Sequence, residues 1–135
     1  MEKVIWDDSF SVGVRELDEQ HKKLIAMLNT LIEAGNVDVK SEIVSDTLMK
    51  MSEYAKVHFT TEEEYMLSFG YPEYDVQKQQ HREFKKKTAF TAFDTTEHQP
   101  SVPMELVLFL KDWLTNHILI SDMKYRSFFE KKGVV

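Results

Sequence analysis

The sequence contains no cysteine, and only four glycines and three prolines occur among its 135 residues. The lack of cysteine excludes disulfides, thiolate metal ligands and a cysteine nucleophile. The 17 basic residues are outnumbered by 23 acidic ones, and the formal charge of −6 argues against a nucleic-acid partner, which would require a basic face. Hydrophobic residues make up 42% of the chain, which is typical of a globular protein with its own core.

The chain also has no long hydrophobic run. Its first residues carry charges where a signal peptide would be apolar. The most apolar window, residues 106–120, is interrupted by Lys111, Asp112 and His117, and therefore does not predict a membrane span. We expect a cytoplasmic protein without membrane or nucleic-acid partners, either free-standing or as one module of a longer chain.

The few glycines and prolines mark the breaks between segments of helical length. Gly13 ends an N-terminal arm, and further breaks follow at Gly35, at residues 70–72 and at residues 100–103. Between the breaks, apolar residues recur every three or four positions without strand-like alternation. The pattern predicts one all-α domain over residues 1–135, an up-down-up-down four-helix bundle with an arm at 1–16 and helices at about 17–35, 40–68, 73–94 and 103–131.

Polar residues interrupt the apolar stripes of all four predicted helices. The four histidines on these stripes are His21, His58, His81 and His117. Glu62 follows His58 by four residues, which places both side chains on one helix face. One such histidine is usually an ordinary core residue, but a buried carboxylate among four inward imidazoles is costly unless it is paired or bound to metal. Nitrogen and carboxylate ligands without sulfur suit iron, manganese, cobalt or zinc.

Linked motifs extend through essentially the whole chain. They are Phe10-Ser11-Val12-Gly13-Val14, Leu17-Asp18-Glu19-Gln20-His21, His58-Phe59-Thr60-Thr61-Glu62-Glu63, Gly70-Tyr71-Pro72 before His81, and Asp112-Trp113-Leu114-Thr115-Asn116-His117 before Asp122. Their order and spacing resemble those of the bacterial hemerythrins. Because several motifs agree at once, the resemblance is specific.

The resemblance implies a hemerythrin-like domain with a non-haem di-iron centre that binds O2 reversibly and is not an enzyme. Two iron ions, cycling between Fe2+ and Fe3+, would share a bridging oxo or hydroxo group. Such a protein would store, deliver or sense oxygen, in the last case as part of a larger sensor chain.

The same resemblance assigns roles by position. One iron would take His21 and His58 and keep an open position for O2, while the other would take His81, His117 and the residue at position 77. Two carboxylates, Glu62 and Asp122, would bridge the irons. Trp113, Leu114 and Ile118 would line the apolar O2 pocket.

The spacing between His117 and Asp122 does not fit a regular α-helix. Five residues separate them, which corresponds to about 140° around the helix axis. The spacing therefore predicts a π-type turn between Ile118 and Asp122, or a helix end there.

The chain departs from the family at one ligand. The family has His-x-x-x-His in the third helix, whereas this chain has Gln77-Lys78-Gln79-Gln80-His81. An amide oxygen is a weaker ligand than imidazole, so Gln77 is either a weak ligand or marks a vacated position. Each iron would then have two histidines, with a second open or water-filled position. This weakens the expectation of reversible O2 carriage but keeps that of a di-iron site.

Two other functions remain as alternatives. A di-iron redox enzyme could react with peroxide, NO or O2, although such enzymes usually have carboxylate-rich sites with Glu-x-x-His pairs. A structural bundle without metal would leave Glu62 and four inward histidines unexplained. We therefore favour the O2-binding protein.

Overall fold

The computed structural model describes residues 1–135 and has four long helices and no strand. The first three are Arg15–Ala34 (α1), Glu42–Phe69 (α2) and Tyr74–Thr96 (α3). The fourth helix has three consecutive parts, which are Val102–Asp112 (α4), a π-helical segment at Trp113–Asp122, and Met123–Lys131 (α5). Helix α1 packs against α2 and α4, and α3 packs against the same two helices. This arrangement confirms the predicted all-α bundle. None of its helices combines the length and apolar character that crossing a membrane requires.

The helix ends follow from local sequence. Ser41 begins α2, and its hydroxyl accepts a hydrogen bond from the backbone N–H of Ile43 at 3.3 Å. Helix α2 stops at Gly70, which has the left-handed conformation (φ 72°, ψ 40°) that terminates many helices and that glycine adopts without strain. Pro103 lies in the first turn of α4, where its missing N–H costs nothing.

The fourth helix of the bundle widens in the region that the ligand spacing predicts. The π-helical segment covers Ile118 to Asp122, as expected, but it already begins at Trp113. Its wider turns allow two residues five positions apart to face the same way. His117 and Asp122 are both buried, and the prediction of a π-type turn is confirmed.

The core consists of two apolar clusters separated by one polar layer. In α1, Leu17 belongs to the smaller cluster and Leu24 to the larger one, and His21 lies between them in sequence. Along α2 and the fourth helix the order is reversed, with residues of the larger cluster first and those of the smaller cluster last. The layer therefore crosses the whole bundle and contains His21, His58, Glu62, Gln77, His81, His117 and Asp122, all of them buried.

Candidate metal centre

The six predicted ligand side chains converge in the polar layer, and none is more than 3% exposed. Their ligand atoms form two groups, in each of which all atoms lie within 4.8 Å of one another. The first group contains His21, His58, Glu62 and Asp122, and the second contains Glu62, His81 and His117. Because Glu62 belongs to both groups, the layer has the arrangement of two neighbouring metal sites that share a carboxylate.

The carboxylate of Glu62 links two pairs of histidines. Its Oε2 lies 3.0 Å from His58 Nε2 and 3.5 Å from His21 Nε2. Its Oε1 lies 2.9 Å from His81 Nε2 and 3.8 Å from His117 Nε2. Each carboxylate oxygen therefore faces one histidine pair, which is the geometry expected of a bridging ligand.

Asp122 connects the same two pairs from the fourth helix. Its Oδ2 lies 3.1 Å from His21 Nε2, and its Oδ1 lies 3.1 Å from His117 Nε2. The π-helical segment makes this possible because it turns Asp122 and His117 toward the same interior. Two carboxylates thus lie between two pairs of imidazoles, and four of the imidazole nitrogens face them.

Three of the four histidine rings are fixed by hydrogen bonds outside the layer. The acceptors of their Nδ1–H groups are Gln20 Oε1 for His58 at 2.6 Å, Glu63 Oε2 for His81 at 2.7 Å and Gln80 Oε1 for His117 at 2.6 Å. A proton held on Nδ1 leaves the lone pair of Nε2 free for a metal ion. These contacts therefore set both the orientation and the tautomer that metal binding requires.

These three acceptors are not among the residues predicted for the site, although the sequence contains a signal for them. Gln20 precedes His21, Glu63 follows Glu62 and Gln80 precedes His81. A step of one residue turns a side chain by about 100° around the helix, from the interior toward the neighbouring helix. Each acceptor accordingly serves a histidine of the next helix, so a polar residue adjacent to a predicted ligand is a candidate for this role.

Several buried polar atoms of the layer have no hydrogen-bond partner. They include both ring nitrogens of His21, the Nε2 atoms of His58 and His117, and Asp122 Oδ2. All of them except His21 Nδ1 lie within 3.1 Å of an opposite ligand group but without hydrogen-bond geometry, so they remain available to a metal ion. Imidazole nitrogens and carboxylate oxygens are ligand atoms that suit iron. The residues present therefore fit a pair of iron ions.

Charge in the layer is balanced by protons when no metal is bound. Burial acts to raise the pKa of Glu62, but the surrounding histidines, His58 first among them, hold that pKa well below its ordinary value. Burial acts to lower the pKa values of His21 and His117, yet the two carboxylates raise both to about 9. The carboxylates are therefore ionised at neutral pH, and metal binding there releases protons from the imidazoles.

Gln77 lies in the layer, one helical turn before His81. Its side chain is 2% exposed, and its Nε2 donates a hydrogen bond to Asp122 Oδ1 at 3.0 Å. Its Oε1 has no partner. The amide thus contacts one of the carboxylates that lie between the histidine pairs.

The predicted pocket residues are buried beside the layer. Trp113 stacks on the His117 ring with a centroid distance of 3.9 Å and an interplanar angle of 16°. Leu114 and Ile118 belong, with Trp113, to the larger apolar cluster. One side of the layer is therefore covered by apolar side chains.

Comparisons with known proteins agree with this geometry. The family model described as the Hemerythrin HHE cation binding domain matches residues 12–128. A bacteriohemerythrin of Clostridium acetobutylicum is 30% identical over 125 residues, covering 90% of this chain and 97% of the relative. A bacteriohemerythrin of Stenotrophomonas maltophilia is 32% identical over 127 residues (93% and 80%), and a myohemerythrin of Theromyzon tessulatum is 33% identical over 121 residues (90% and 89%).

Proposed function

We propose that two pairs of buried histidines divide two irons between them in this chain, which belongs to the hemerythrin family. As a member of that family, the chain is a di-iron protein that binds O2 and is not an enzyme. His21 and His58 hold one iron, His81 and His117 hold the other, and Glu62 and Asp122 are shared. The observation that carries this assignment is that the two oxygens of Glu62 face different histidine pairs.

The two irons, when bound, would supply the two electrons, one from each ion, that reversible O2 binding at such a centre needs. The chain orients the imidazoles through Gln20, Glu63 and Gln80, whose contacts with Nδ1 keep each Nε2 available. Trp113 and its apolar neighbours exclude water from one side of the layer. Because these apolar side chains exclude water, they limit the supply of protons to bound O2, and O2 can leave unreduced.

Gln77 has a different role from the histidine it replaces. Its amide N–H holds Asp122 in place through the 3.0 Å hydrogen bond, and we propose that it does not act as a ligand. The iron that His81 and His117 would hold would then lack a third side-chain ligand from α3 and would be less well shielded from water. This chain should consequently lose more of its bound O2 in a reduced form, by autoxidation, than a relative with three histidines on that iron.

Exposure of the reduced, iron-loaded protein to O2 tests the proposed function. We expect a visible absorption band on exposure and its loss when O2 is removed, with the cycle repeatable on the same sample. Zinc-loaded protein is the control and should show no band, because zinc has no redox chemistry. Rapid passage to the ferric form without a band would favour the redox enzyme. An unchanged spectrum would favour a structural bundle without a metal function.

A further inference from the structure

Two buried aromatic residues outside the polar layer each carry a polar atom that lacks a hydrogen-bond partner. Eight buried side-chain nitrogen or oxygen atoms are without a hydrogen bond, and six of them belong to His21, His58, Gln77, His117 and Asp122. The other two are the Tyr54 hydroxyl oxygen and the Trp113 indole nitrogen. Metal ligation therefore does not explain why these two donors are buried unpaired.

The two aromatic side chains cover one histidine from each pair. Tyr54 stacks on His58 with a centroid distance of 4.8 Å and an interplanar angle of 26°. Trp113 stacks on His117 at 3.9 Å and 16°. Both rings belong to the larger apolar cluster, and both pack against the rings of Phe59 and Phe84. The apolar wall expected of the O2 pocket thus contains two hydrogen-bond donors.

The hydrogen of the Tyr54 hydroxyl has no acceptor in the chain. An indole N–H can donate but cannot accept, so Trp113 offers that hydrogen no partner. The aromatic rings of Phe59 and Phe84, at centroid distances of 5.6 and 5.7 Å from the Tyr54 ring, provide apolar surroundings. An acceptor brought in by a small ligand would pair the hydroxyl.

Access to Tyr54 is available from the surface between α1 and α2. A cavity of about 310 Å³ lies there, and Tyr54 and His58 line it together with Lys23, Lys50 and Glu53. Tyr54 therefore lies between a solvent-facing cavity and the polar layer. A small ligand in this cavity would be able to contact both Tyr54 and His58.

We infer that the Tyr54 hydroxyl donates a hydrogen bond to the small ligand of the metal centre, and that Tyr54 with Trp113 selects for O2 and small inorganic anions with a terminal acceptor atom. This inference rests on the proposed di-iron function. It assigns to Tyr54 a role in ligand selection that an apolar wall alone would not provide.

Azide binding to the oxidised, iron-loaded protein tests the inference. The Tyr54→Phe variant keeps the ring that stacks on His58 and removes only the hydroxyl. We expect about tenfold weaker azide binding, as for the loss of one hydrogen bond, with two irons per chain retained. The control Tyr65→Phe removes a hydroxyl that donates to Glu16 at 2.9 Å, and it should leave azide affinity unchanged.

Thermal melting of the metal-free protein provides a second readout. Because the hydroxyl has no partner there, Tyr54→Phe should melt at the same or a higher temperature than the native chain. Unchanged azide affinity, loss of iron or a lower melting temperature would each overturn the inference, since the hydroxyl would then have no role or a structural one. A native protein that binds no iron would overturn the proposed function itself, before any variant is compared.

Discussion

The Glu62→Ala variant is expected to lose both irons. Both oxygens of Glu62 face histidine pairs, so its removal deprives each proposed iron site of a shared ligand. It also leaves the buried Tyr125 hydroxyl, which donates to Glu62 Oε2 at 2.8 Å, without an acceptor. Iron content should fall from two to less than one per chain. Iron should raise the melting temperature of the native protein by roughly 10 °C and that of the variant not at all.

Elemental analysis and thermal melting with and without Fe2+ measure these effects. Glu64→Ala is the matched control, because Glu64 lies in the same run of acidic residues but is exposed. It should retain both irons and the full iron-dependent stabilisation. A Glu62→Ala protein that still binds two irons would show that Glu62 is not a shared ligand.

Replacing Gln77 with histidine is expected to slow autoxidation by about tenfold or more. The imidazole would fill the position on the iron held by His81 and His117 that the amide leaves exchangeable. Water would then be excluded from that iron, and with it both a proton source and an exit for reduced oxygen. The variant would also lose the hydrogen bond that Gln77 donates to Asp122, an effect we expect to be smaller.

Stopped-flow decay of the oxygenated protein compares the two chains. Gln79→His is the control, since Gln79 is exposed on the same helix and its replacement should leave the decay unchanged. Equal lifetimes for native protein and Gln77→His, with two irons bound to each, would mean that position 77 does not control the centre. The ligand register proposed for α3 would then be wrong.

The sequence predicts the positions of the proposed ligands better than it predicts their surroundings. Helical periodicity places His58 and Glu62 on one inner face, and the five-residue step from His117 to Asp122 requires a widened turn, which the structure contains. The start of that turn at Trp113 could not be predicted. A widened turn can begin at several residues before Asp122 and still point both side chains inward.

The contacts that depend on neighbouring helices were not predictable in the same way. Gln20 reaches His58 and Gln80 reaches His117 only because the helices have particular rotations about their axes. Periodicity in one helix does not specify its rotation relative to the next. Tyr54 likewise falls on an apolar stripe in the sequence, and only the packed structure shows that its hydroxyl is buried without a partner.

The number of irons bound per chain decides whether the two histidine pairs hold two metal ions. Metal-free protein would be titrated with Fe2+ under argon, and bound iron would be counted per folded chain. We expect saturation at two irons, because two carboxylates connect two histidine pairs. Saturation at one iron per chain, or a site that accepts only zinc, would contradict that expectation.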